Sequence, residues 1–288
     1  MSWSVLDQNV LITGGNSGIG AAAAEGLAAA GARVTITARD IAKGKAAAAK
    51  IEDSTGSAIE VLELDLADLE SVRRSADEFQ SNHDSLAVLV NNAGGFFGSR
   101  SVTPDGFETT LGTNYLGPFL FTNLLTDLLI SSAPSRIINV ASSAHGAASD
   151  GIRFDDLMAE DSYKMMPVYG HSKLANILHA RQLDTQLGAS GVHAFSMHPG
   201  VVRTSIGQGG DSWLVALGVQ LLRWRLRTPD EGADTIIWLA TTPELPNPAG
   251  GYFEDRAEGS SSRHARDDDM AKQLWSVTTE LLDGSSSS

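Results

Sequence analysis

The sequence predicts a doubly wound parallel α/β sheet with helices on both faces, and three observations carry that prediction. Short apolar runs rich in β-branched residues recur along the chain, Ala-rich or amphipathic stretches follow them, and no internal Pro, Gly or Ser-rich linker interrupts the alternation. The runs are Val10–Ile12, Val34–Thr37, Ile59–Leu64, Leu86–Val90, Ile137–Val140 and Val192–Met197. Their near-continuous hydrophobicity marks strands buried on both faces, as in a parallel sheet. Helices are expected over 18–30, 41–54, 68–82, 106–132 and 168–188. Asp267–Leu282 reads as a terminal helix with a solvated acidic start at Asp267–Asp269, and 284–288 as a frayed tail. The whole chain, 1–288, reads as one domain.

Two stretches break the rhythm. Ala147–Pro167 is a polar insertion ahead of a strong helix. Thr204–Arg227 begins Gly-rich and then combines Trp213, Leu214, Val215, Leu217, Val219, Leu221 and Leu222 with Arg223, Arg225 and Arg227. It reads as a substrate lid over about 204–227; core packing of one more helix and peripheral membrane contact stay open beside that reading.

Composition removes several classes of function. The 288 residues carry 21 Lys+Arg against 35 Asp+Glu, a net charge of −14, which repels phosphate backbones and argues against nucleic-acid binding. With no cysteine, a disulfide framework, a thiolate zinc site and a Cys nucleophile are all excluded. Met1–Asn9 has neither the basic nor the apolar segment of a secretory signal, and no run approaches the roughly eighteen apolar residues of a spanning helix. A cytoplasmic protein is expected. His145, His171, His179 and His198 show no ligand spacing, so no metal site is expected; His171 and His179 read as partly buried helix surface.

The first strand runs straight into Thr13-Gly14-Gly15-Asn16-Ser17-Gly18-Ile19-Gly20, which opens an Ala-rich helix. Glycines there allow a tight turn and a close approach of backbone N–H groups to a pyrophosphate at the helix N-terminus. Gly14, Asn16, Ser17, Gly18, Ile19 and Gly20 are therefore candidate dinucleotide-binding residues. At the end of the second strand an acidic residue would bind a ribose 2′-hydroxyl, but Ala38 and Arg39 stand there instead. A guanidinium pairs with a 2′-phosphate, so NADP(H) is favoured over NAD(H); Asp40, one place on, reads as a helix N-cap.

Tyr169 and Lys173 lie four apart in a helical stretch and share a face. An ammonium beside a phenol favours the phenolate and would lower its pKa from about 10 towards the working range of a general acid/base.

Taken together, Thr13–Gly20, Asp65, Asn91-Asn92-Ala93-Gly94, Asn114, Ser143, Tyr169-x-x-x-Lys173 and Pro199-Gly200 give the chain the order of motifs of the short-chain dehydrogenase/reductases, which it resembles over about 13–204. Within that family it looks most like the retinol dehydrogenase and WW-domain oxidoreductase group, through Ala38-Arg39-Asp40, Asn114-Tyr115-Leu116-Gly117, His171-Ser172-Lys173-Leu174-Ala175-Asn176 and His198-Pro199-Gly200. The resemblance implies adenine contacts from Asp65 and Leu66, and a cofactor cleft supported by Asn91, Ala93 and Gly94. It implies nicotinamide contacts from Pro199, Gly200, Val202 and Thr204, with Tyr169 and Lys173 also touching the cofactor. Asn114 would interrupt its helix and hold a water that relays protons to Lys173. The family places its serine three before a Gly, which selects Ser143 over Ser142 as the hydroxyl that holds the substrate oxygen. The implied activity is hydride transfer between a nicotinamide and an alcohol or carbonyl, in a possible homodimer or homotetramer. Arg39 favours NADP(H), and the Trp213 and Leu/Val content of 204–227 suggests an apolar, retinoid-like or steroid-like substrate. An NADP(H)-binding sensor or scaffold with little catalysis is the alternative.

Overall fold

Neighbouring strands along this sheet send alternate side chains to opposite faces, and that alternation builds two separate cores. The computed structural model describes residues 3–202, 227–244 and 250–285. Eight strands form one sheet in the order β3-β2-β1-β4-β5-β6-β7-β8. They are β1 (Asn9–Ile12), β2 (Arg33–Ala38), β3 (Ile59–Glu63), β4 (Val88–Asn91), β5 (Ser135–Val140), β6 (Val192–Met197), β7 (Tyr252–Glu254) and β8 (Ala257–Glu258). In β1, Leu11 enters one core while Val10 and Ile12 enter the other, as a period of two requires.

The first core is closed by α3 (Leu69–Asn82), α5 (Gly117–Leu124), α7 (Met165–Leu187) and α9 (Asp268–Ser285), through Phe79, Phe119, Leu174 and Leu274. The second is closed by α1 (Gly18–Ala29), α2 (Ile41–Thr55) and α8 (Pro229–Thr241), through Ala23, Leu27, Ile51 and Ile236. Each fully buried large aliphatic or aromatic side chain contributes roughly 1.5–3 kcal/mol of transfer free energy. Small residues set the helix spacing: a Cβ on Gly26 of α1 would come within 2.3 Å of Ile237 on α8.

The doubly wound parallel sheet matches the sequence reading for its first six strands. Four details differ. Strands β7 and β8 were not expected, and β8 runs antiparallel to β7. Helix α8 was not expected either, although Thr228 and Glu231 form a reciprocal capping box with Pro229 at its first position. The stretch 106–132 is divided into a turn of α-helix (α4, Thr109–Leu111), a π turn over Gly112–Leu116 that contains the interruption expected at Asn114, α5, and α6 (Thr126–Ser131); in the π turn Gly117 N–H reaches back five residues to Gly112 O. Finally, Met165–Pro167 belong to the first turn of α7 rather than to the polar insertion. All of 204–226 lies outside the described residues. Asp40 caps α2 by accepting from Lys43 N–H at 3.1 Å.

The order of strands reverses between β1 and β4. In open α/β sheets a ligand crevice forms at that reversal, outside the carboxyl ends of the strands.

Candidate active site

The turn after β1 needs its glycines for backbone angle and for close packing. Gly14 and Gly18 have positive φ of 65° and 55°, a region that non-glycine residues rarely enter. A Cβ on Gly14 would lie 2.9 Å from Ala93 Cβ, and one on Gly20 would lie 2.4 Å from both Asn92 Nδ2 and Gly14 O. The α1 N-terminus begins at Gly18, and the Ser17 side chain makes no capping bond to it, so the first N–H groups of the helix face the crevice uncapped. Asn16 and Ile19 flank this turn, half-buried.

Thr13 couples that turn to the loop after β4: its hydroxyl accepts from Asn92 N–H and Ala93 N–H, each at 3.0 Å. Asn91 is buried and donates to Thr122 Oγ1 and Asn139 Oδ1, each at 2.9 Å. Gly94 lies where a Cβ would approach Asn114 Oδ1 to 3.1 Å and Lys173 Nζ to 3.5 Å. The Asn114 amide is held by Gly95, whose N–H it accepts at 2.7 Å and whose carbonyl it donates to at 2.9 Å, and it also donates to Ser172 Oγ at 3.1 Å. Asn114 occupies the π turn.

At the end of β2, Ala38 is buried and Arg39 is exposed. The neighbouring Asp40 carboxylate is turned to its own helix, where Lys43 N–H holds its pKa below the usual value. Asp65 is half-buried and accepts from Ala67 N–H at 3.0 Å, while Leu66 is buried against Gly117. After β6, Pro199 is buried, Gly200 has φ 78°, and Val202 pairs with Arg227. Thr204 lies outside the described residues.

The polar cluster stands where β5 ends. Lys173 is buried, and its Nζ donates to Val140 O at 3.0 Å and lies 5.6 Å from the centre of the Tyr169 ring. Burial lowers its pKa to about 8. Burial also raises the Tyr169 phenol, and the one group that opposes this is a hydrogen bond from Ser142. The expected lowering of the phenol by Lys173 is thus not seen: desolvation dominates, because both groups are largely removed from water.

The same bond bears on the choice of serine. Ser142 is the extended residue, φ −161° and ψ 153°, that caps the 3₁₀ turn Ser143–Ala147, and its hydroxyl accepts from Ala144 N–H at 3.1 Å beside the Tyr169 phenol. Ser143 is the first residue inside that turn and is exposed. Of the two serines it is therefore Ser142 that acts on the Tyr169 phenol, while Ser143 is exposed. Counting back from Gly146 selects Ser143, whereas the group that acts on Tyr169 is Ser142; side-chain direction at a strand exit follows backbone angles rather than distance to the next Gly.

Sequence reasoning did not single out Phe96 or Ser172. The Phe96 ring meets the Tyr169 ring edge-on at 4.9 Å, and Ser172 Oγ links the Tyr169 carbonyl (2.8 Å) to Asn114. Phe96 directly follows Asn91–Gly95, and Ser172 lies between Tyr169 and Lys173; proximity to those motifs was the available signal. His179 differs from its reading as helix surface: it is fully enclosed by Tyr115, Phe119 and Trp275, and burial lowers its pKa to about 3.

A family model for short chain dehydrogenase matches residues 8–154. The chain belongs to the short-chain dehydrogenase family, a family of oxidoreductases. It is 42% identical over 274 residues to retinol dehydrogenase 12 of Mus musculus, covering 95% of this chain and 85% of that protein. We place it in the retinol dehydrogenase group on that identity. Among solved structures, an uncharacterised protein from Mycobacterium paratuberculosis superposes with a TM-score of 0.77 at 34% identity, over 98% of this chain and 97% of the other. The Pseudomonas aeruginosa RhlG/NADP active-site complex follows with a TM-score of 0.66 at 29% identity, over 83% of this chain and 91% of the other. No helix among the described residues is long and apolar enough to cross a membrane, and these residues hold no cluster of three metal-ligating side chains.

Proposed function

We propose that this protein is an NADP(H)-dependent oxidoreductase that interconverts an apolar alcohol with its aldehyde or ketone. The observation that carries the reading is the convergence of the Ser142 hydroxyl, the Tyr169 phenol and the Lys173 ammonium at the end of β5, two strands from the glycine turn.

The residues present fit a dinucleotide. The positive-φ glycine turn at Gly14 and Gly18 and the uncapped N-terminus of α1 suit a pyrophosphate. Arg39 suits the 2′-phosphate, since it is exposed and the adjacent Asp40 carboxylate is committed to capping α2. The RhlG relative crystallised with NADP supports the same choice. Asp65 and Leu66 would border the adenine, and Asn91, Ala93, Gly94, Pro199, Gly200 and Val202 the rest of the cleft. When bound, the nicotinamide would supply or accept the hydride.

The chain's own groups handle the proton and the orientation. Tyr169 gives its phenolic proton to the carbonyl oxygen in reduction and takes it from the alcohol in oxidation. Ser142 donates to that oxygen and stabilises the developing negative charge. Lys173 supplies a nearby positive charge that favours the phenolate during turnover. Asn114, fixed between Gly95 and Ser172, would order the water that carries protons to Lys173. Phe96 gives the reacting centre an aromatic neighbour, which together with the retinol dehydrogenase relatives supports an apolar, retinoid-like substrate.

Loss of reduced-nicotinamide absorbance with NADPH and NADH, over aldehydes and ketones from small polar to long apolar, tests the reading. Turnover with NADPH on apolar members, abolished in Tyr169→Phe, supports it. In Arg39→Ala the KM for NADPH should rise by about tenfold or more while NADH kinetics hold, as expected for a lost bidentate phosphate contact. Tight NADPH binding with no turnover of any member would replace this reading with that of a sensor.

A further inference from the structure

One buried histidine beside the cluster has no part in the chemistry above, yet both of its ring nitrogens are engaged. His145 is the middle residue of the turn that Ser142 caps, and it is buried. Its Nδ1 lies 2.7 Å from Ser142 O, which also accepts the His145 backbone N–H at 3.0 Å. Its Nε2 accepts from the Ser262 backbone N–H at 3.1 Å, 117 residues further along the chain. A Tyr252 ring packs against its edge at 5.3 Å.

A backbone N–H can only donate, so Nε2 carries the lone pair. A neutral ring then carries its proton on Nδ1 and donates it to the Ser142 carbonyl. Both bonds are satisfied by that one tautomer. The Ser142 carbonyl thus receives two N–H donors from the same residue, and its hydroxyl receives Ala144 N–H. Together these hold the extended backbone of Ser142, the residue whose hydroxyl acts on the Tyr169 phenol.

We propose that His145 is a positioning residue for Ser142, and that it couples the aim of this hydroxyl to the C-terminal stretch around Ser262. The inference rests on the reading of Ser142 and Tyr169 as oxygen-holding and proton-transferring groups. Misdirecting an oxyanion donor by a fraction of an ångström weakens the transition state more than it weakens ground-state binding. Truncating the bond to Ser142 should therefore lower kcat and leave KM for the cofactor in place.

Two near-isosteric substitutions separate the two bonds. Asn at this position can place an amide N–H where Nδ1 lies, whereas Gln reaches only to the Nε2 site and offers its oxygen to Ser262. His145→Gln is expected to lower kcat by about tenfold or more with KM for NADPH little changed, and His145→Asn to restore kcat to within about threefold of the parent protein. Equal kcat in His145→Gln and the parent overturns the proposal, as does an equal loss in both variants, which would mark a packing role. An independent reading needs no variant: the ¹⁵N spectrum of histidine-labelled protein should show His145 protonated at Nδ1, and protonation at Nε2 alone overturns the proposal. Tyr169→Phe is run beside these. If Tyr169→Phe keeps its turnover, the proposed function fails; if it loses turnover while His145→Gln does not, only the role of His145 fails.

Discussion

Two buried cations stand at opposite ends of β5 and are put to different uses. Arg136 lies near the start of the strand, and Lys173 reaches the carbonyl of Val140 at its end. Neither forms an ion pair with a carboxylate among the described residues, and in both burial is the cause that weakens the charge: Lys173 falls to about 8 and Arg136 to about 10. The partners differ. The Arg136 guanidinium donates to Leu239 O at 2.6 Å and Thr242 O at 2.7 Å, at the carboxyl end of α8, and stacks on the Trp3 ring at 4.1 Å. Those carbonyls are the negative pole of a helix, so a cation is well placed there. A guanidinium stays charged under all working conditions and becomes a clamp. A buried ammonium can titrate near neutral pH and stands beside a phenol. Similar burial thus gives a structural tie at the amino end of the strand and, on the proposed function, a proton-handling site at the carboxyl end.

The contrast can be broken most directly at Lys173. Lys173→Met should lower kcat by about 10³-fold while the melting temperature moves little, since an unpaired buried charge is removed. Turnover within tenfold of the parent protein would erase the distinction between the two ends. The next largest effect separates the two serines. Ser142→Ala should lower kcat by about 10²-fold, the usual loss for one oxyanion donor, and Ser143→Ala should change it by less than about twofold. The reverse order in steady-state assays would return the role to Ser143.

At the other end the signs invert. Arg136→Met should cost about 2–4 kcal/mol in denaturant unfolding, because it deletes two hydrogen bonds from a charged donor, with kcat per folded molecule unchanged. The smallest effect concerns acid. His179 and His198 are lowered by burial to about 3 and about 4, from 6.5. The unfolded chain binds protons below 6.5 that the folded one refuses, so stability falls as pH drops from 6.5 towards 4, by at most about 1.4 kcal/mol per pH unit for each group. Melting curves between pH 7 and 5 should show this slope, and His179→Leu should flatten it.

Legibility in the sequence followed the range of the interactions involved. The first six strands, α1, α2, α3 and the Asp40 cap were readable because each depends on residues within a few positions: periodicity, glycines, a short side chain before a helix. Helix α8 was equally local, through Thr228-Pro229-Asp230-Glu231, and its capping signal was simply passed over. Strands β7 and β8, of three and two residues, were too short for any period to show. The interruption of the 106–132 stretch at Asn114 was expected from the family resemblance and lies in the π turn Gly112–Leu116; its exact form was not readable, since the neighbouring residues are good helix formers and Asn114 bonds across to Gly95.

By itself the sequence determined the doubly wound class, the position of the glycine turn, the absence of thiol chemistry and the pairing of Tyr169 with Lys173 on one helix face. These follow from composition and from spacing within single elements. Only the tertiary structure decided that Ser142 rather than Ser143 meets Tyr169, that His179 is enclosed, and that His145 ties the serine turn to Ser262. Each of those depends on where a backbone exits one element and on which distant segment packs against it, and directions of that kind are set by the assembled core rather than by neighbours along the chain.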